Sequence, residues 1–166
     1  MSAPPSIGLS CCLALRLRFL DQLDVRLAVL LYLALLAAFT PPAAADVRIL
    51  QSPGGQVGPF LRLFDQVRAS GERVVIDGPC LSACTLVLMT LPRSRICVTP
   101  RAVLGFHAAS SRDFSGRRVW EPEATGVVLS AYPSPVRQWI VRHGGLSSRL
   151  LLLRGRDLAA MYPRCR

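Results

Sequence analysis

The sequence predicts an α/β fold, a single domain of short strands and flanking helices. Brief Val- and Ile-rich runs alternate with apolar or amphipathic helical stretches, and Gly- or Pro-marked turns separate them. The chain has 166 residues, enough for one domain, and removing a targeting segment over residues 1–45 leaves about 120 for residues 46–166.

The N-terminus reads as an address. Arg26 stands before an apolar run from Leu27 to Phe39, and Pro41-Pro42 then leads into Ala43-Ala44-Ala45. That order of positive charge, apolar core and small residues is the order of a secretory signal, with cleavage expected after Ala45. At about 13 residues the core falls short of the roughly 20 that a spanning helix needs. The alternative is an uncleaved inner-membrane anchor over residues 27–39. The stretch from Met1 to Asp24 carries Asp21 and Asp24 and is long for a signal's leading region, so initiation at or near Val25 gives the more ordinary signal. Cys11 and Cys12 then drop out of the protein.

Elements follow in order along the mature part. Val47 to Leu50 reads as a strand stopped by Ser52-Pro53-Gly54-Gly55. Leu61, Leu63, Phe64 and Val67 give a helix over residues 59–69, which Gly71 closes. Arg73 to Asp77 is a buried strand leading into Gly78-Pro79-Cys80-Leu81-Ser82. A long apolar helix is expected from Ser82 through Leu91. Ile96 to Val98 and Ala102 to Phe106 read as two more strands, the second delivering His107 at its end. Residues 110–123 are polar with Gly116 and read as an exposed loop or lid. Helices are expected over residues 135–142 and 147–153, with His143-Gly144-Gly145 as the turn between them, and a short last helix follows Asp157. Trp120, Tyr132 and Trp139 are expected to pack the C-terminal helices onto the sheet, the alternative being that they line a substrate groove near the loop.

Composition narrows the function. All 20 basic residues are Arg, against 10 acidic ones. The arginines are scattered, without a nucleic-acid-binding module or interleaved aromatics, so nucleic acid is not an expected partner. With no Lys, a Ser-Lys dyad, a Schiff-base lysine and a phosphate-loop lysine are all excluded. Four cysteines remain after export: Cys80, Cys84, Cys97 and Cys165. Their even count in an oxidising compartment fits disulfides, with three pairings open, and Cys80 and Cys84 read either as a disulfide or as buried small hydrophobes. No His or second Cys pair completes a zinc set around Cys80 and Cys84, so no metal and no cofactor is implied.

Three features point to acyl transfer: a Gly-Gly turn after a strand, a Ser at a strand-to-helix junction and a His at the end of a later strand. Free N–H groups at a helix start favour a developing oxyanion, supplied by Ala83 together with Gly54 or Gly55. His107 is the better placed of the two histidines to take the Ser82 proton. Taken singly, each also has a structural role, as helix N-cap, tight turn and rim histidine.

Together, Ser52-Pro53-Gly54-Gly55, Gly78-Pro79-Cys80-Leu81-Ser82-Ala83 and Val103-Leu104-Gly105-Phe106-His107 resemble the Clp-protease/crotonase-like family in order and spacing. The Cys-x-Ser-Ala-Cys segment with a Gly-Phe-His end resembles exported bacterial members of that fold. The resemblance spans residues 47–107 and implies Ser82 as nucleophile, His107 as general base and the Gly55 and Ala83 N–H groups as oxyanion hole. An acid follows the His by some fifty positions in the family, which points to Asp157, with Asp113, Glu121 and Glu123 as rivals. The strand-helix-strand unit that precedes the Gly-Gly turn in the family is missing, so the fold is truncated. The domain is then either minimal or completes its sheet as a homo-oligomer. The expected function is an exported, periplasmic or secreted serine hydrolase acting on a peptide or other acyl substrate. The alternative is a non-catalytic binding or assembly module of the same fold, touching a membrane only through an uncleaved N-terminal segment.

Overall fold

A computed structural model describes residues 25–33, 35 and 45–165. The chain divides into two units, residues 1–43 and 44–166. In the first, residues 25–33 and 35 are helical. Among the described residues no helix is long and apolar enough to cross a membrane. The leading stretch 1–24 with Cys11 and Cys12, the Pro41-Pro42 break and positions 43–44 of the expected cleavage site lie outside the described residues.

The second unit is mixed α/β. Strand β1 (Val47–Ile49) enters helix α1 (Val57–Ser70), which returns the chain to β2 (Val74–Ile76), parallel to β1. Phe64 and Val67 bury one face of α1, whereas Leu63 points to solvent and Phe60 packs in its place. β3 (Pro79–Leu81) follows at once and runs into a 3₁₀ turn (Ser82–Leu86) and a single turn of α-helix, α2 (Val87–Thr90). β4 (Ile96–Val98) lies parallel to β2 and completes the sheet β1-β2-β4. β5 (Val103–Phe106) pairs in parallel with β3 in a second sheet. The interior between these elements is built by Ile76, Ile96, Leu104, Phe106, Ile140 and Leu153, all essentially inaccessible.

Four stretches differ from the sequence expectation. The long helix over Ser82–Leu91 is a 3₁₀ turn and a short α-turn, because the segment is clasped by the Cys80–Cys84 disulfide and Thr85 Oγ1 bonds back to the Ser82 carbonyl. The expected loop over residues 110–123 is a hairpin, β6 (Ser110–Arg112) and β7 (Arg118–Trp120), followed by helix α3 (Pro122–Ala131). Pro122 at the start of α3 lacks only an N–H that a helix start leaves unpaired. The helix expected over residues 147–153 is instead β8 (Leu151–Arg154), antiparallel to β5. Its apolar residues alternate, Leu153 buried and Leu152 exposed, and pairing with β5 satisfies its backbone. The last helix, α5 (Gly155–Met161), begins before Asp157, which sits in its first turn rather than capping it. Helix α4 (Ser134–Arg142) and the following Gly144-Gly145 turn lie where expected.

The strands meet at Asp77, a buried carboxylate just beyond β2. Its Oδ2 accepts from Arg48 at 2.8 Å and from Arg101 at 2.6 Å, and its Oδ1 accepts from Thr99 at 2.7 Å and Arg101 at 3.1 Å. One side chain thereby ties β1 to the turn between β4 and β5. The two-pronged Arg101 contact, then the Thr99 and Arg48 bonds, hold its pKa far below the ordinary 3.8. Because the folded pKa is depressed, the stabilisation is complete above pH 3.8 and fades as pH falls from there through the folded value. Asp77→Asn is therefore expected to lower the thermal midpoint at pH 7, with the gap to the parent narrowing only below pH 4. A gap constant down to pH 2 in thermal scans would contradict this account.

Candidate functional site

Ser82 is the first residue after β3, and its φ of 54° is the only positive value at a non-glycine position among the described residues. The structure makes it neither the N-cap, which is Leu81, nor part of a regular helix. A side chain in the left-handed region is costly, and such strain persists only where surrounding structure holds it. Three contacts hold it here. The Cys80–Cys84 disulfide brackets the residue, with Cα atoms 5.3 Å apart. Thr85 Oγ1 donates to the Ser82 carbonyl at 2.7 Å, which commits its single proton, so the Tyr132 hydroxyl 2.6 Å away is the donor to Thr85. Burial pushes the Tyr132 hydroxyl up to about 12, so it remains a donor over the working range. Gly54 packs directly beneath: a Cβ on it would lie 2.6 Å from the Ser82 Cβ.

His107 is delivered by the end of β5, half-buried. Its Nδ1 lies 2.6 Å from the Ala108 carbonyl. A carbonyl only accepts, so Nδ1 carries a proton, and whenever the ring holds a single proton Nε2 is the acceptor. Trp120 of β7 meets the ring edge-on at 6.4 Å between centroids.

Ser82 and His107 line one cleft of about 710 Å³, together with the Pro53–Val57 turn and Ser110, Ser111, Arg112 and Arg118 of the hairpin. A smaller recess of about 110 Å³ opens beside them, walled by Ala83, Leu86, Phe106, Val128 and Tyr132. No hydrogen bond joins Ser82 to His107 among the described residues; the two share the cleft walls. Gly55 lines both spaces, and no partner for its N–H occurs among the described residues, while the Gly54 N–H donates to Ser52 Oγ at 3.3 Å.

Asp157 is not brought to His107. It is exposed on α5 and accepts from the Trp139 indole at 3.2 Å. Fifty positions of separation place it beyond β8, on an element that does not line the cleft. The rivals are also engaged elsewhere or turned outward. Asp113 closes the hairpin turn, its pKa lowered first by the Ser115 hydroxyl and then by the N–H groups of Arg117 and Ser115. Glu121 accepts from Ser111 at 2.6 Å, and Glu123 is exposed.

The four cysteines form Cys80–Cys84 and Cys97–Cys165, selecting one of the three pairings open to the sequence. Disulfides of this kind belong to an oxidising compartment. Among the described residues no cluster of His, Cys, Asp or Glu could hold a metal ion. Tyr132 and Trp139 join the core, whereas Trp120 stays exposed against His107. Sequence reasoning missed Thr85 and the hairpin arginines as parts of the site, whereas Tyr132, weighed as core or as groove wall, is both. A readable signal was the Ser-Gly turn at residues 115–116 between two short runs, which marks a hairpin.

Fold and cleft together define a mixed α/β domain presenting a constrained serine beside a histidine. Compared with known proteins, the sequence matches no family model and no curated protein.

Proposed function

We propose that this chain is an exported serine hydrolase acting on a peptide or another acyl substrate, built on a truncated Clp-protease/crotonase-like domain. The observation that carries the reading is Ser82, held at φ 54° at a strand-to-helix junction and opening into the same cleft as His107. Such a turn exposes a serine hydroxyl above a sheet, as nucleophile elbows do.

In the proposed reaction Ser82 Oγ attacks the substrate carbonyl while His107 Nε2 takes the hydroxyl proton. The carbonyl oxygen becomes an oxyanion facing the N–H groups of Gly55 and Ala83. Collapse breaks the bond to the leaving group, which receives the proton from His107. Water then repeats the sequence on the acyl-serine, with His107 again moving the proton. The orienting role usually given to an acid falls to the Ala108 carbonyl, which holds Nδ1 protonated and Nε2 free. Secretion through the apolar segment at residues 27–39 fits the two disulfides, and retention of that segment as an inner-membrane anchor is the alternative.

Fluorophosphonate labelling of the purified protein tests the proposal. The parent is expected to label at Ser82, and Ser82→Ala and His107→Ala, confirmed folded by circular dichroism, to lose at least about a thousandfold in labelling rate. Absence of labelling in the parent, alongside an active control, overturns the hydrolase. It favours the second reading, a binding or assembly module, which is motivated by the missing Ser82–His107 hydrogen bond and by Asp157 lying elsewhere.

A further inference from the structure

We infer that the cleft selects substrates bearing a carboxylate, which Arg112 and Arg118 receive, beside a small apolar group that enters the adjoining recess. The inference rests on the hydrolase reading for the word substrate, but its geometry stands on the cleft alone.

Arg112 and Arg118 face each other as register partners across the β6–β7 hairpin. Like charges directly opposite one another in an antiparallel pair are destabilising, so the arrangement weakens the element that carries it. No carboxylate relieves it among the described residues: the hairpin's one ion pair joins the neighbouring Arg117 to Asp113. Arg112 spends one donor on the Gly116 carbonyl at 2.8 Å, and Arg118 lies 5.7 Å over the Trp120 ring. Both keep donors free, and both line the same cleft as Ser82 and His107. A guanidinium pair on one wall presents donors in the planar fork that suits a carboxylate.

The hairpin is not a loose flap. The Glu121 N–H donates to the Ala109 carbonyl, Ser111 Oγ to Glu121, and the Ala109 N–H to Thr125 on α3. Trp120, under Arg118, abuts His107. The two cations are therefore positioned relative to the histidine by a braced element. The 110 Å³ recess that shares Ser82 and His107 with the cleft has Ala83, Leu86, Phe106 and Val128 among its walls and takes a few carbon atoms.

The test is calorimetric titration of the full-length Ser82→Ala protein with N-butyryl-β-alanine and with its neutral carboxamide. The acid is expected to bind about tenfold or more tightly than the carboxamide, as charge-assisted bonds imply, and to lose most of that margin in 0.5 M salt, where the Debye length falls to about 4 Å from about 30 Å in 0.01 M buffer. In the Arg112→Gln/Arg118→Gln background the two ligands are expected to bind alike, and Arg112→Lys/Arg118→Lys to restore part of the preference. Equal affinities in the Ser82→Ala protein, no measurable binding of the acid, or a preference that survives the double Gln change overturns the inference. These outcomes are independent of labelling: an arginine-dependent preference in a chain that never labels overturns the hydrolase alone, and labelling without any preference overturns the anion site alone.

Discussion

Gly54→Ala is expected to cost about 3 kcal/mol of stability and to abolish labelling at Ser82 even in the fraction that folds. Gly54 has φ 85°, a region that penalises any Cβ by about 1–2 kcal/mol. Here the Cβ would also lie 2.5 Å from the Leu81 carbonyl oxygen, 2.6 Å from the Ser82 Cβ and 3.0 Å from the Ala83 nitrogen. Two of those atoms are backbone on either side of the nucleophile, so relief requires moving the segment that holds Ser82. Gly71 supplies the control. It has φ 81° as the αL cap of α1, but nothing lies within 4 Å of its would-be Cβ. Gly71→Ala should therefore cost about 1 kcal/mol and leave labelling unchanged. Urea denaturation and fluorophosphonate labelling of the two variants separate the contributions, and equal losses in both would show that contact with the Ser82 segment is unimportant.

Removal of the Cys97–Cys165 disulfide by a double change to Ser is expected to cost about 4 kcal/mol, against about 2 kcal/mol for the Cys80–Cys84 pair. The bridges close loops with sequence separations of 68 and 4, and the longer loop restricts the unfolded chain more. The long bridge also holds the C-terminal segment against the sheet. Val98 donates to the Pro163 carbonyl and Cys165 to the Val98 carbonyl, so the segment extends the sheet beside β4. The short bridge lies in the site instead, and its loss is expected to release Ser82 and slow labelling more than it lowers stability. Denaturation midpoints and labelling rates of the two double variants should thus rank in opposite orders. The same rank order in both measurements would contradict the separate roles assigned to the bridges.

Much of the element order is legible in local pattern. The Val-Val-Ile run of β2, the Phe64 and Val67 face of α1 and the helix-closing Gly71 each rest on residues adjacent in sequence, and all lie where periodicity and turn chemistry place them. Ser82 and His107 are legible as candidates for the same reason, since each stands at the end of a short apolar run. The failures share a cause. β8 reads as a helix because Leu150 to Leu153 is apolar without an obvious period, and only β5 running beside it decides that it is extended. The Ser82–Leu91 run reads as one helix because propensity does not register a disulfide four residues wide or the Thr85 bond to the Ser82 carbonyl.

The sequence by itself determined the α/β class, the absence of lysine chemistry, the four cysteines beyond residue 45 and the candidacy of Ser82 and His107. These follow from composition and from contacts between near neighbours along the chain. Tertiary structure alone decided which cysteines pair, that Asp77 joins Arg48 and Arg101, that Asp157 goes to Trp139 while the Ala108 carbonyl takes His107, and that two arginines of a hairpin overlook the serine. Each of the long-range pairings joins residues many positions apart. Their partners are chosen by how the sheets and helices stack to bury apolar surface, a choice that no local run of residues encodes.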